Sequence, residues 1–298
     1  MRLTKFRSLL LILLLSVIWT SQAQATCTRT GGAIQNTGAV VSDSGGDTDS
    51  CTESPDSYGL TFYKLGLCTA DPFDLDLSSC SFMYDGAALA HTITSPATAP
   101  LNTGAFTIPP GSYGYMVAII SNKLAITHQE TFTSALRGKT GTGTTCWSID
   151  GITSVTNEAV THDVFGTIPL SSPPTNATLE CGLASAAAPV PSYEVIASFG
   201  ENCGGSFSAS MTHGAVSNGI AKGKLLKADN TLATACTHAS RLLWRIGLTT
   251  PLTVTEGSGF DLGFKVTDAV SVDFDGAGGD FAVKVGANPI EAVLSILD

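Results

Sequence analysis

Charge is scarce in this 298-residue sequence, and positive charge is the scarcer kind: Lys and Arg number 15 against 25 Asp and Glu, and only 13% of residues are charged at all. A weakly charged, acidic chain repels phosphate backbones and anionic headgroups, which argues against nucleic-acid binding and against charge-driven attachment to a membrane surface. Close Cys-x-x-Cys pairs are missing, and with them the usual zinc–thiolate arrangement. The five histidines (91, 128, 162, 213 and 238) stand singly, at none of the spacings that metal ligands adopt. Long amphipathic helical patterns are not evident. No apolar run beyond the first 25 residues approaches the ~20 residues of a membrane span.

The exception in charge and hydropathy is the start of the chain. Arg2, Lys5 and Arg7 precede an apolar run from Leu9 to Trp19, followed by Ala23-Gln24-Ala25. A basic segment, a short apolar core and a small-x-small site read as a signal peptide over residues 1–25, so the mature chain is expected to begin at Thr26 and to be exported, extracellular or at the cell surface. Cys27 follows closely, but Thr26 before it and the lack of a leucine three residues upstream argue against lipidation. The leader carries three basic and no acidic residues, so its removal leaves 12 basic residues against 25 acidic ones, a net charge near −13.

All eight cysteines (Cys27, Cys51, Cys68, Cys80, Cys146, Cys181, Cys203 and Cys236) lie beyond the leader. An even number in an exported chain reads as four disulfides whose connectivity the spacing leaves open. Cys68–Cys80 is the favoured pair. Leu60 to Leu65 alternates as a strand, Thr69-Ala70-Asp71-Pro72 is turn chemistry, and Ser78 to Phe82 starts the next strand. A bridge there would tie the excursion shut. Asp71, Asp74 and Asp76 within it are spaced to meet calcium, but no bidentate glutamate follows at the expected distance.

The rest of the chain keeps a β rhythm. Pro109-Pro110-Gly111-Ser112 suits a type II turn, and Tyr113 to Ile120 is apolar enough for a strand buried on both faces. Tyr193, Val195, Ala197 and Phe199 share one face of another strand, and Leu242 to Leu248 forms one more. Phe260, Leu262, Phe264 and Val266, then Val270, Val272 and Phe274, then Phe281, Val283 and Val285 alternate with polar or small residues. Period two with one apolar face means antiparallel sheet. The expected fold is therefore all-β: two β-sandwich-like units of mainly antiparallel strands, stapled by disulfides. The expected organisation is a flexible arm over 26–50, a β-sandwich-like domain over 51–140, a linker or irregular region over 141–191 and a second β domain over 192–298.

Several short motifs invite functional readings. Ser42-Asp43-Ser44-Gly45-Gly46 echoes a trypsin-like nucleophile segment, but every histidine follows Ser44, whereas that family places its histidine and aspartate first. Gly138-Lys139-Thr140 mimics the tail of a phosphate loop, yet Thr133 stands where the first glycine belongs. Asn176-Ala177-Thr178 fits the glycosylation pattern. Asp273, Asp275 and Asp280 lie in DFDGAGGD, which resembles extracellular calcium loops and equally suits a hairpin turn. Calcium is the one cofactor the sequence suggests, and no catalytic cluster emerges.

The strand–PPGSY–strand stretch resembles a feature of transthyretin-like β-sandwich domains. YKLGLCT (63–69) with Ser78-Ser79-Cys80 and IPPGSYGYMVAIIS (108–121) is similar to exported β-rich proteins of aquatic bacteria. These resemblances imply fold and export and carry no active residues. Composition, low charge and disulfides point to a structural protein rather than an enzyme: a subunit of a cell-surface filament or adhesive appendage, self-associating by strand addition, with Ala39-Val40-Val41 or Ile290 to Leu297 as the donated strand. The alternative is a secreted β-sandwich module that binds carbohydrate or another small ligand, with Trp147, Trp244 and exposed tyrosines as stacking platforms.

Overall fold

The structure, a computed structural model, describes residues 26–36, 51–94, 99–100, 108–150, 152–155, 159–162, 166–169, 179–199, 207–216, 219–277, 280–288 and 290–297. In chain order the strands begin with β1 (Arg29–Thr30), β2 (Ala33–Ile34), β3 (Cys51–Glu53), β4 (Ser57–Cys68), β5 (Cys80–Thr94) and β6 (Ala99–Pro100). Next come β7 (Gly111–Ser121), β8 (Lys123–Thr127), β9 (Gln129–Arg137), β10 (Thr142–Ser148), β11 (Ile152–Val155), β12 (Ala159–His162), β13 (Gly166–Pro169) and β14 (Leu179–Gly182). The last are β15 (Ser192–Val195), β16 (Ser210–Val216), β17 (Gly219–Leu226), β18 (Arg241–Val254), β19 (Gly259–Lys265), β20 (Val270–Ala277), β21 (Asp280–Ala287) and β22 (Glu291–Leu297). Among the described residues the only helical elements are three single 3-10 turns, and no helix is long and apolar enough to cross a membrane. The protein is all-β, as its alternating hydropathy requires.

The main sheet has the order β15-β8-β4-β7-β18-β17-β16, with β5 on the other flank of β4. Strand β4 meets β8 through Ser57–Gly59 and β7 through Phe62–Cys68, so β7 and β8 run along one flank with a kink between them. Asn122 sits at that kink and is 5% exposed. Its amide donates to the carbonyls of Ile196 (3.0 Å) and Ala239 (3.1 Å), which fastens the segments flanking β15 and β18. The second large sheet runs β1-β2-β9-β21-β20-β3, with β10 and β14 added beyond β9. Two three-stranded sheets, β22-β19-β6 and β11-β12-β13, complete the set.

One continuous core joins the layers. Tyr58, Phe62, Met116, Ile120 and Leu242 of the main sheet belong to the same buried cluster as Phe132, Leu136, Val272 and Val285 of the second sheet and Phe264 of the small one. Each such side chain contributes about 1.5–3 kcal/mol on burial. A division into successive units at 51–140 and 192–298 is not how the strands are dealt out. Each large sheet takes strands from both stretches: β4, β5, β7 and β8 with β15–β18, and β3, β9 and β10 with β20 and β21. Local alternation defines strands but says nothing of which strand is a neighbour, and long-range pairing here interleaves the halves.

The expected flexible arm is tied down at its described end. Cys27 is bonded to Cys51, and Arg29 reaches Glu53 at 2.8 Å and Glu130 at 2.5 Å. Ile34 pairs with Phe132 in parallel. At the other end, β22 pairs with β19 over seven positions from Lys265↔Glu291 to Gly259↔Leu297. The Ile290 to Leu297 segment is therefore spent on this chain's own sheet, where Ala292 is buried in the core and Ile290 packs against it. Ala39-Val40-Val41 lies outside the described residues.

Three disulfides are seen in full: Cys27–Cys51, Cys68–Cys80 and Cys146–Cys181. Cys236 is also disulfide-bonded, and Cys203 lies outside the described residues. The favoured Cys68–Cys80 pair is present, and its cysteines face each other directly across β4 and β5.

Candidate ligand-binding cavity

The inner face of the main sheet leaves a gap. Tyr58, Leu60 and Phe62 on β4, Met116, Ala118 and Ile120 on β7, and Leu242 and Trp244 on β18 recur every second residue, so all turn to one side. Phe264, Ile290 and Ala292 stand opposite. Between them lies a cavity of about 360 Å³. Packed sheets stand ~10 Å apart, a distance that large side chains normally fill. Here alanines at 118, 287 and 292 face the space instead. Phe62 and Phe264 stack at 5.2 Å between ring centroids at its edge.

The remaining wall comes from β15 and the segment just beyond it: Glu194, Ile196, Ser198 and Phe199, with Met211 of β16. The strand expected to show Tyr193, Val195, Ala197 and Phe199 on one face ends at Val195. Val195 and Ala197 instead pack with Cys236 in a small separate cluster, and the alternate positions line the cavity. Phe199 reaches the rim because β17 carries Gly223, where a β-carbon would lie 3.0 Å from its ring.

Among the described residues Glu194 is the one carboxylate or amine in the lining, and it is placed rather than loose: its Oε2 accepts from the Ala287 N–H. Burial first, and the neighbouring Glu194 carboxylate second, push the Tyr58 hydroxyl well above its ordinary pKa. Tyr58 therefore stays a neutral donor, directed at the Asn288 carbonyl at 3.4 Å. Sequence reasoning missed Glu194. Its signal was a lone charge inside the otherwise uncharged run YEVIASF.

The residues singled out from sequence fall elsewhere. The loop after Cys68 folds over the outer face of the main sheet, where Phe73, Leu75 and Leu77 cover Val117, Ile119 and Leu243. Asp71 is committed to Arg245, whose guanidinium donates to both carboxylate oxygens, and it also caps Phe73 N–H at 3.0 Å. Burial raises its carboxyl, but these bonds outweigh that and hold it below the ordinary range. Lys224 lies 4.2 Å from the Phe73 ring centre. The stretch is a tied flap over a β-sheet, with its aspartate engaged by arginine.

Gly138-Lys139-Thr140 forms the turn of the β9–β10 hairpin, and its N–H groups are already filled. The Glu180 carboxylate accepts from Thr140 N at 3.0 Å, Thr140 Oγ1 at 2.8 Å and Gly141 N at 2.8 Å. An internal carboxylate thus occupies the place a phosphate would take. Asp273 and Asp275 lie on β20 and Asp280 opens β21, with Ala277 paired to Asp280. The backbone is a hairpin, and these carboxylates are outside the described side chains. Ser42 to Gly46 and Asn176 also lie outside the described residues.

Of the aromatic platforms expected for carbohydrate, only one faces the cavity. Trp147 is 7% exposed, and Trp244 faces the cavity. Cations already lie over the tyrosines: Arg241 at 3.8 Å from Tyr63, Arg245 at 4.8 Å from Tyr115 and Lys123 at 3.9 Å from Tyr193. His91 tilts against Phe264 at 6.2 Å, and His238 shares a hydrogen bond with Thr234 at 2.9 Å. The fold and this lining define a layered all-β protein with an apolar space between its sheets. No family model, curated protein or solved structure matches the chain.

Proposed function

We propose that the chain is an exported binding module that holds a small apolar ligand between the layers of its β-fold. The observation that carries this reading is the cavity, whose 360 Å³ falls within the ~300–1,000 Å³ range of small-ligand sites. Its lining is mainly apolar with a few polar groups at one side, the composition such sites have. The leader-like first 25 residues and the disulfides support export. Ligand extracted from protein purified out of its producing cell and identified by mass spectrometry is the test. A stoichiometric apolar compound, lost when Ala118→Phe fills the space, is the expected result. Protein that carries nothing and takes up no apolar probe would refute the reading.

A second reading, self-association into a surface polymer, has its own observation. Strand β5 is 15 residues long and, among the described residues, pairs only with β4. Asp85 to Ala88 along it are exposed, and its one carboxylate, Asp85, is neutralised by Lys64 at 2.5 Å. An uncharged edge is where two acidic copies could meet with least repulsion. With β22 spent on its own sheet, the edge rather than a donated C-terminus supports assembly.

A further inference from the structure

We infer that the outer face of the main sheet, turned away from the cavity, binds an acidic polysaccharide through its sugar carboxylates. The site is separate from the cavity and does not rest on the apolar-ligand reading. Beyond residue 25 the chain has 12 Lys and Arg (15 less Arg2, Lys5 and Arg7), and six of them stand on this one face. Lys222 and Lys224 of β17 lie opposite Arg245 and Leu243 of β18, and Arg241 is on the same face four residues before Arg245. Lys64 pairs with Ile119 of β7, and Lys123 extends the row at the start of β8. Each of the six lies over an aromatic ring: Lys64 is 4.9 Å from Phe82, Lys222 5.2 Å and Lys224 4.2 Å from Phe73, and the other three cover Tyr63, Tyr115 and Tyr193. A ring beneath a long cationic side chain holds it in place, so less freedom is lost when an anion binds.

Two of the six are answered internally, Arg245 by Asp71 and Lys64 by Asp85. Among the described residues, Lys123, Lys222, Lys224 and Arg241 have no carboxylate within 4.0 Å. Lys224 and Arg241 donate to neutral acceptors, the Phe73 carbonyl and the Asn230 side chain, which fixes their heads without neutralising them. Lys222 faces Arg245 directly across two strands, a like-charge pairing that costs stability, and Asp71 gives both carboxylate oxygens to Arg245. The face is thus short of anions. Its neutral groups suit a sugar: Ser210 and Thr212 of β16, both exposed, stand opposite Lys224 and Lys222, and their hydroxyls can donate and accept. Nucleic acid fits less well, because bases stack on open rings and a cation already lies over each ring here. The chain's net charge of −10 also opposes a dense phosphate line more than a sparser row of carboxylates.

Oligogalacturonate, dextran and oligothymidylate titrated calorimetrically into the full chain at low ionic strength test the assignment. Oligogalacturonate should bind and weaken as salt rises, and dextran should not bind. Oligothymidylate should bind at least about tenfold more weakly than the glycan. Lys222→Gln with Lys224→Gln should weaken oligogalacturonate at least about tenfold, the size of one charged hydrogen bond. Lys123→Gln with Arg241→Gln serves if that pair does not fold. Arg137→Gln with Lys265→Gln, on other sheets, changes net charge equally and should leave binding unchanged, as should Ala118→Phe in the cavity. Wild-type protein that binds no oligogalacturonate, or equal losses in the face and control pairs, overturns the site. Oligothymidylate bound as tightly as the glycan makes the face a nucleic-acid surface and overturns the polysaccharide assignment too.

Discussion

His128 is 3% exposed, and neither ring nitrogen has a hydrogen-bond partner among the described residues. Burial holds its pKa below the ordinary 6.5; the Glu130 and Asp56 carboxylates pull it up, and Arg29 pushes it down. The unfolded chain therefore binds a proton that the folded chain refuses. The stability involved is complete above pH 6.5 and is lost as pH falls from there through the folded value. Glu53 works in the opposite sense at more acid pH, because burial raises its carboxyl above 4.5. We predict that the melting temperature drops between pH 7 and pH 5 and that His128→Leu flattens this slope. An unchanged slope in a folded His128→Leu protein would contradict the assignment. Gly66 illustrates another local demand: a β-carbon there would stand 2.5 Å from the Ser81 carbonyl, so β4 and β5 pair closely only because the residue is glycine.

At the scale of elements, the flap between Cys68 and Cys80 explains the burial of β4. The strand alternates from Ser57 to Phe62 and is then buried at every position from Leu65 to Cys68. The change marks where the flap covers the second face. The bridge closes a separation of 12 residues, which loop entropy values at about 3 kcal/mol. Arg245 adds a second tie, with its side chain 8% exposed and that of Asp71 38% exposed. Removing Asp71 leaves a buried guanidinium short of a partner. Solvent screening on the exposed partner limits the cost of Asp71→Ala to about 1–2 kcal/mol. Denaturant titration should find this loss, and Arg245→Met with Asp71→Ala together should recover part of it. A single variant as stable as wild type would remove the pair from the account.

For the whole molecule, the paired termini and the long β5 edge lead to one prediction about assembly. Wild-type protein concentrated and followed by light scattering should form oligomers if β5 is an assembly edge. Ala88→Lys, a charge on an exposed edge position, should then shift the population to monomer without lowering the melting temperature. Wild-type protein that stays monomeric at millimolar concentration leaves β5 as an edge without that role. Ligand uptake by the cavity does not depend on the outcome, since the lining residues among the described ones lie on elements other than β5.

The sequence by itself determined what depends on near neighbours. Period-two alternation marked Phe260 to Val285 as antiparallel strands, the apolar run Tyr113 to Ile120 as a strand buried on both faces, and Cys68 and Cys80 as ends of a closed excursion. These follow from chain geometry and turn chemistry within a dozen residues. The type II turn expected over Pro109 to Ser112 does not form, because Gly111 and Ser112 are already extended in β7. Only the tertiary structure decided how the strands interleave, and with that which residues share a space. Glu194 and Ala118 are 76 positions apart in the chain, and nothing local to either predicts that they line one cavity. Glu180 likewise fills the Thr140 turn only because β14 pairs with β10 at Cys146↔Cys181. Sheet hydrogen bonds are the same for any pair of strands, so neighbours are selected by the collective fit of side chains across the layers, a property of the folded chain as a whole.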